Sequence, residues 1–269
     1  MTRFIRCGMK SLIGAILIIF LAGSQSSKAA EFRVERYCPQ CDDSLKVYLI
    51  GDIVIGDSRR LTEILRSHGP KVQSIELRSG GGNVQEATAI GRLIRSLYLD
   101  TNAPIGRDWD PRHDGCRKES KQFSTRVACG CASACFLVFV AGVGRNGTEL
   151  FLHRISFPKE FFGGLSPSEA EKKYQEGLEA VRSYLSEMGV PDKYYYKMLR
   201  TSSGRLEKLT RDEVYDFSEI PAFSEWLTAQ CGEFTSSRSY AMTKKIAACR
   251  QSKAAKARQD AFRQVLGVD

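Results

Sequence analysis

The chain has 269 residues, of which 42% are hydrophobic and 26% are charged, a balance that fits a folded core and excludes a wholly disordered protein. The formal net charge is +9, but residues 1–29 carry +4 and residues 234–269 carry +6, so the body between them is close to neutral. The basic balance therefore does not indicate that the body binds nucleic acid.

Residues 1–29 have the order of regions typical of a secretory signal peptide. Positive charges come first, the apolar run Leu12–Ala22 follows, and a polar stretch with small residues leads to a cleavage site after Ala29. The apolar run is shorter than the ~20 residues of a membrane-spanning helix. We expect a protein exported to the periplasm or secreted. The alternative is an uncleaved signal segment that anchors the protein and is its sole contact with a membrane.

Eight cysteines follow the signal segment, and an even number in an oxidising compartment favours disulfides whose pairing the sequence leaves open. The pair Cys38 and Cys41 has the spacing of a zinc half-site or a redox pair. No matching second pair or thioredoxin-like unit accompanies it, so we expect a structural bridge and no metal site. Cys231 and Cys249 are expected to hold the C-terminal segment. The disulfide candidates are Cys38, Cys41, Cys116, Cys129, Cys131, Cys135, Cys231 and Cys249.

The first half of the body alternates strands and helices. Residues 30–44 are a cysteine-containing N-terminal segment, and an α/β domain is expected over 45–232. The apolar pattern predicts one or two strands around Gly51, a helix, a second strand, and a glycine turn that leads into a second helix. These elements are expected at Leu45–Ile55, Ser58–Ser67, Val72–Leu77 and residues 84–97.

The second half continues the alternation. It is expected to contain a loop at 106–124, a short strand at Thr125–Ala128, the apolar segment Cys131–Gly142, a strand at Leu150–Ile155 and a helix at Ser166–Met188. A further helix is expected to start at Thr210. The alternation predicts an α/β fold with a mainly parallel sheet. Residues 233–269 predict a basic helical or flexible tail, and without interleaved aromatic residues it is not expected to bind nucleic acid.

The three glycines Gly80, Gly81 and Gly82 lie between a strand and a helix that begins near Asn83. Glycines permit positive φ and close approach to the backbone, and the amide groups of a helix start can bind an anion. The turn lacks the Lys-Ser/Thr ending of a phosphate-binding P-loop. A tight turn without a ligand is the simpler interpretation.

Ser133 lies in a second small-residue turn, directly before the apolar run Phe136–Ala141. At the start of a buried helix, the dipole would stabilise an alkoxide and the Ala134 amide would be free to donate. A simple helix cap is the alternative role. His153 lies in the otherwise hydrophobic strand Leu150–Ile155, where it is either a core residue or a proton acceptor for the Ser133 hydroxyl.

The order of these three motifs resembles the Clp-protease/crotonase superfold, which includes the Clp protease proteolytic subunit and signal peptide peptidase A. Residues 79–84 match the family's Ser-Pro-Gly-Gly-x-Val turn, with glycine at 80 in place of proline. Residues 132–134 match the turn that carries the nucleophile, and residues 152–153 match the strand that carries the catalytic histidine. The likeness spans about 45–220 and is closest to exported Clp-like proteins with a Ser-Ala-Cys turn.

The resemblance implies a spiral fold with a mainly parallel sheet, here with a C-terminal helical extension. It implies that Ser133 is the nucleophile, that His153 is the general base, and that the amides of Gly82 and Ala134 form the oxyanion hole. The expected activity is that of a serine hydrolase of the peptidase class, with a peptide or protein substrate and no cofactor. Assembly into a homo-oligomer is also implied.

The orienting acid of the family is expected about fifty residues after the histidine, where this chain has Thr201–Arg205 and no carboxylate. Glu207 and Asp192 are the nearest acids and neither is in register. A Ser–Lys arrangement would need one of three lysines, at Lys193, Lys197 or Lys208. The third member of the triad is therefore unassigned. A catalytically inactive Clp-like protein that binds peptides or serves as a scaffold is the alternative function.

Overall fold

The structure is a computed structural model that describes residues 29–37, 43–105, 130–235 and 239–269. Its strands are β1 (Glu31–Arg36), β2 (Leu45–Ile50), β3 (Val72–Arg78), β4 (Asp100–Asn102), β5 (Cys131–Ala132), β6 (Arg145–Asn146), β7 (Leu150–Leu152) and β8 (Glu207–Lys208). Its helices are α1 (Asp57–His68), α2 (Val84–Ser96), α3 (Ala134–Phe139), α4 (Lys159–Phe162), α5 (Pro167–Glu187), α6 (Asp192–Arg200), α7 (Arg211–Tyr215), α8 (Pro221–Cys231) and α9 (Tyr240–Leu266). The α/β class expected from the sequence is confirmed.

The larger sheet has the strand order β1-β2-β3-β4-β6. Strands β2, β3, β4 and β6 are parallel, whereas β1 pairs with β2 in the antiparallel direction. Strand β3 is largely buried, as expected for a parallel strand that is covered on both faces, whereas β1 is partly exposed at the sheet edge. The sequence prediction did not assign β1, which lies in the segment 30–44.

A smaller, mixed sheet has the order β5-β7-β8, with β7 parallel to β5 and antiparallel to β8. The two sheets meet at the end of β3. The Ser79 amide donates to the Gly130 carbonyl over 3.0 Å, and the Ala132 amide donates to the Ser79 carbonyl over 3.0 Å. This junction places the glycine turn after β3 beside the serine turn after β5.

Helix α3 lies in the centre of the core, and all six of its residues are buried. Tyr184 of α5 donates a hydrogen bond to the Leu137 carbonyl over 2.7 Å, which ties the two helices together. Gly91 of α2 leaves room for the Tyr184 ring, because a Cβ at that position would lie 1.8 Å from its hydroxyl oxygen. The apolar segment after Ser133 is therefore a buried helix, as its composition indicates.

Two helices begin at the capping residues that the sequence predicts, Ser166 and Thr210. Ser166 and Glu169 form a capping box at the start of α5, and Thr210 and Glu213 form another at the start of α7. Both motifs satisfy amide groups that have no partner within their own helix.

The C-terminal segment is a helix, α9, and it packs against the body of the protein rather than extending from it as a free tail. Phe262 is fully buried in the main core cluster, and Leu266 joins it. Arg258 is buried and donates to the Tyr98 carbonyl over 3.4 Å. A disulfide between Cys231 and Cys249 connects α8 to α9, which confirms the expectation for this pair.

Several expectations lie outside the described residues: the signal segment through residue 28, the loop at 106–124, the strand Thr125–Ala128, and Cys38, Cys41, Cys116 and Cys129. Over the part of the chain that the structure covers, no helix has both the length and the apolar character needed to cross a membrane.

Candidate active site

Ser133 connects β5 to α3 in a backbone conformation that is rare for a residue with a side chain. Its φ is 57° and its ψ is −125°, a combination that costs about 1–3 kcal/mol and persists only where the surroundings impose it. The Ser133 amide donates to the Phe151 carbonyl over 3.1 Å, and its carbonyl accepts from the Phe136 amide over 3.0 Å. The backbone of Ser133 is thus held on one side by β7 and on the other by the first turn of α3.

A disulfide spans the same turn. Cys131 and Cys135 are bonded, with their Cα atoms 5.2 Å apart, and both residues are fully buried. The bond joins the strand before Ser133 to the helix after it. Two of the disulfide candidates are therefore paired with each other across the serine, a pairing that the sequence left open.

The glycine turn after β3 packs directly against the serine turn. Gly81 has a φ of +110°, and a Cβ at this position would lie 2.6 Å from the Ser133 Cβ and 2.9 Å from the Ala134 amide nitrogen. The Ser79 hydroxyl oxygen accepts a hydrogen bond from the Gly81 amide over 3.1 Å. Glycine is needed at 81 because any side chain would enter the space that the serine turn occupies.

The amides of Gly82 and Ala134 both remain available. Ile53 pairs with the backbone on both sides of Gly82. The Ile53 amide donates to the Gly81 carbonyl, and the Ile53 carbonyl accepts from the Asn83 amide, each over 2.8 Å. In such a parallel bridge, the amide of Gly82 itself points away from Ile53. Ala134 is the first residue of α3, so its amide lacks a partner within the helix. In the described residues, neither amide donates a hydrogen bond.

His153 lies one residue beyond the end of β7, because this strand is shorter than the sequence prediction of Leu150–Ile155. The Ser133 amide bond to Phe151 places Ser133 opposite Leu152. His153 directly follows Leu152 in the chain, so it lies beside the serine turn. The structure brings the two residues into one neighbourhood, but no hydrogen bond joins the Ser133 hydroxyl to the imidazole within the described residues.

The imidazole of His153 is half-buried, and its Nδ1 atom is fully buried without a hydrogen-bond partner. Burial lowers the pKa of His153 below its usual value near 6.5, because the imidazolium loses solvation more than the neutral ring does. At neutral pH the ring is therefore uncharged, which is the form that can accept a proton.

The loop in which the resemblance expects an acid lies next to His153. The amide of Arg154 donates to the Thr201 carbonyl over 2.8 Å. Glu207 lies opposite Leu152 in the β7–β8 pair, but its carboxylate accepts from the Thr201 hydroxyl over 2.8 Å and pairs with Lys197 over 3.1 Å. Asp192 pairs with Arg182, so neither acid orients the imidazole.

The three lysines considered for a Ser–Lys arrangement are all paired with carboxylates. Lys193 pairs with Asp216, Lys197 pairs with Glu207 and Glu213, and Lys208 pairs with Glu149. In the described residues, none of the three ammonium groups contacts Ser133.

A cleft of about 700 Å³ lies beside this loop and was not anticipated from the sequence. Its lining residues come from α6, the loop that follows it, β8 and α7: Lys197, Arg200, Thr201, Ser202, Arg205, Glu207 and Glu213. The contact between Arg154 and Thr201 and the pairing of Glu207 with Leu152 place the cleft near His153. Across the described ranges, no group of three or more metal-ligating side chains has the arrangement of a metal site.

Comparison with protein-family models and with curated proteins finds no match to this chain.

Proposed function

We propose that this protein is an exported serine hydrolase of the peptidase type, in which Ser133 is the nucleophile and His153 is the general base. The observation that carries the proposal is the backbone of Ser133, which is held at φ 57° between a strand and a buried helix with two unused amides beside it. Strained backbone at a polar side chain is typical of functional sites. The resemblance to the Clp-protease/crotonase superfold, with its spiral arrangement, supports the same assignment.

The proposed reaction uses groups that lie within this neighbourhood. The neutral imidazole of His153 accepts the hydroxyl proton while Ser133 Oγ attacks the substrate carbonyl carbon. The negative charge that develops on the carbonyl oxygen is stabilised by the amides of Gly82 and Ala134. Collapse of the tetrahedral intermediate breaks the C–N bond, and the leaving amine takes the proton from the imidazolium. Water then hydrolyses the acyl-enzyme by the same sequence of proton transfers. No cofactor takes part in this scheme.

Without an orienting acid, the proposed site works as a dyad with an oxyanion hole. Such a site is slower than a full triad, because no carboxylate fixes the tautomer of the imidazole or stabilises the imidazolium. We therefore expect a low turnover with peptides and a faster reaction with activated esters.

The disulfides are consistent with an oxidising compartment, which supports the proposed export to the periplasm or outside the cell. A peptide or protein substrate and a homo-oligomeric assembly are proposals that rest on the resemblance.

A second candidate function is a non-catalytic Clp-like protein that binds peptides. The unpartnered Nδ1 atom of His153 and the missing bond between Ser133 and the imidazole favour it. Both functions share the fold, so chemical reactivity of the hydroxyl separates them.

A fluorophosphonate probe tests the proposal, because it reacts covalently with activated serines. We expect the purified wild-type protein to be labelled at Ser133, the Ser133→Ala variant to lose labelling, and His153→Gln to be labelled much more slowly. Ser203→Ala is the matched control, because Ser203 is an exposed serine in the loop that follows α6. Labelling of the folded wild type no faster than that of Ser133→Ala would favour the peptide-binding function.

A further inference from the structure

The two cysteines of the Cys131–Cys135 disulfide lie two residues before and two residues after Ser133. Cys131 is fixed in β5, where its amide donates to the Glu149 carbonyl over 2.8 Å. Cys135 lies in the first turn of α3, whose residues are all buried. The bond therefore closes a five-residue loop around the one strained residue of the turn.

Because the backbone of Ser133 is strained, a bond that holds the two ends of the turn affects the conformation of Ser133. A positive φ at a serine costs about 1–3 kcal/mol, so the turn tends to relax towards a common backbone conformation unless its ends are held. Relaxation would rotate the Cα–Cβ bond of Ser133 and move the adjacent amide of Ala134. Both groups belong to the proposed chemistry, so their relative positions depend on the distance between the two ends of the loop.

We propose that the Cys131–Cys135 disulfide is a positioning element that holds Ser133 and the Ala134 amide in the reactive arrangement, so that the protein reacts at its full rate only when this bond is formed. The inference rests on the proposed hydrolase function. Neither cysteine touches the substrate in this account, because both side chains are buried. Opening the bond with dithiothreitol transfers two electrons and two protons to the cysteine sulfurs, which become thiols, while the reductant becomes a cyclic disulfide.

The second disulfide of the described chain is a matched control. Cys231 and Cys249 join α8 to α9 and are half-buried, so they are more accessible to a reductant than the buried pair. Within the described residues, no hydrogen bond joins them to the serine turn. Loss of this bond is expected to lower stability without altering the reaction of Ser133.

The experiment compares the fluorophosphonate kinetics of C131A/C135A with those of C231A/C249A and wild type. A displacement of about 1 Å at a reacting group costs roughly 100-fold in rate. We expect the maximal labelling rate of C131A/C135A to fall about 10- to 100-fold, with little change in the probe concentration that gives half of that rate. C231A/C249A should keep the wild-type rate. Equal maximal rates in all three proteins would overturn the proposal, whereas an unreactive wild type would instead refute the hydrolase function on which it rests.

Graded reduction of wild type provides a second measurement if C131A/C135A does not fold. Free thiols are trapped with iodoacetamide, assigned by peptide mass spectrometry and compared with labelling and with the near-ultraviolet circular dichroism. We expect the labelling rate to be unchanged by reduction of Cys231–Cys249 and to fall about 10- to 100-fold as the thiols of Cys131 and Cys135 form, while the native spectrum remains. A labelling rate that stays unchanged after those thiols form, or that falls only together with the native spectrum, would overturn the positioning role.

Discussion

Replacement of Gly81 by alanine tests the contact between the glycine turn and the serine turn. The new Cβ would lie 2.6 Å from the Ser133 Cβ and 2.9 Å from the Ala132 carbonyl oxygen. Contacts this short cannot be accommodated without moving the backbone of one turn. The φ of +110° adds strain, because residues with a Cβ rarely adopt it.

The expected change in the free energy of unfolding is the sum of the backbone strain and the overpacking. Backbone strain contributes about 1–3 kcal/mol and overpacking contributes a further ~1–3 kcal/mol, so Gly81→Ala should lower the free energy of unfolding by about 2–6 kcal/mol. For a protein of this size, the lower value corresponds to a fall in melting temperature of about 4–8 °C. Labelling of Ser133 should also slow in the variant that remains folded, because the serine turn is displaced.

Gly80→Ala is the matched control at the neighbouring glycine. A Cβ at Gly80 would meet its nearest atom, an oxygen of Asp52, at 4.0 Å, and its φ is not in the positive region. The change should alter the free energy of unfolding by no more than about 1 kcal/mol. Urea denaturation of both variants, together with their labelling rates, makes the comparison. Equal midpoints and slopes for Gly81→Ala and Gly80→Ala would refute the packing of the two turns.

Three further predictions test other parts of the protein. Phe262→Ala should lower the free energy of unfolding by about 3–5 kcal/mol, because Phe262 is fully buried. Val265 is 45% exposed, so Val265→Ala should change this free energy by less than about 0.5 kcal/mol. Similar midpoints of urea denaturation for the two variants would contradict the packing of α9 on the body. Tyr184→Phe leaves the buried carbonyl of Leu137 without its hydrogen-bond donor, so it should lower the free energy of unfolding by about 1–3 kcal/mol. An unchanged melting temperature in thermal unfolding would count against that hydrogen bond. Burial lowers the pKa of His153, so the imidazole stays neutral as the pH falls through 6.5, the usual pKa of histidine. The labelling rate of Ser133 should therefore drop only below pH 6.5. A pH–rate profile with its half-maximum at or above pH 6.5 would contradict this prediction.

Local signals in the sequence predicted most of the helices and the turn residues. The helix at Ser166–Met188 was expected from its capping residues and apolar stripe, and the structure has α5 at Pro167–Glu187. The helix after the glycine turn is capped by Asn83, whose side chain accepts from the Glu86 amide. Such features depend on residues within one or two helical turns of each other, and so a linear sequence contains the information needed to predict them.

The neighbourhood of the candidate site was predicted in part. The glycine turn and the serine turn were expected together through the resemblance, and the structure places Gly81 against Ser133. The position of His153 beyond β7, and its unpartnered Nδ1 atom, were not predicted. Strand ends and hydrogen-bond partners depend on the neighbouring chain segments, which a local pattern does not specify.

The amino-acid sequence contains the helix signals, the two small-residue turns and an even number of cysteines after residue 29, because each of these is a property of nearby residues or of composition. It does not contain the pairing of Cys131 with Cys135, which is one of many pairings open to eight cysteines and becomes unique only when β5 and α3 are packed. The burial of α9 also depends on tertiary structure. The helix is rich in Ala, Lys and Arg, and the contacts of Phe262, Leu266 and Arg258 show that it belongs to the body. Contacts between distant segments are selected by the packing free energy of the whole chain, and for that reason they emerge only in the folded protein.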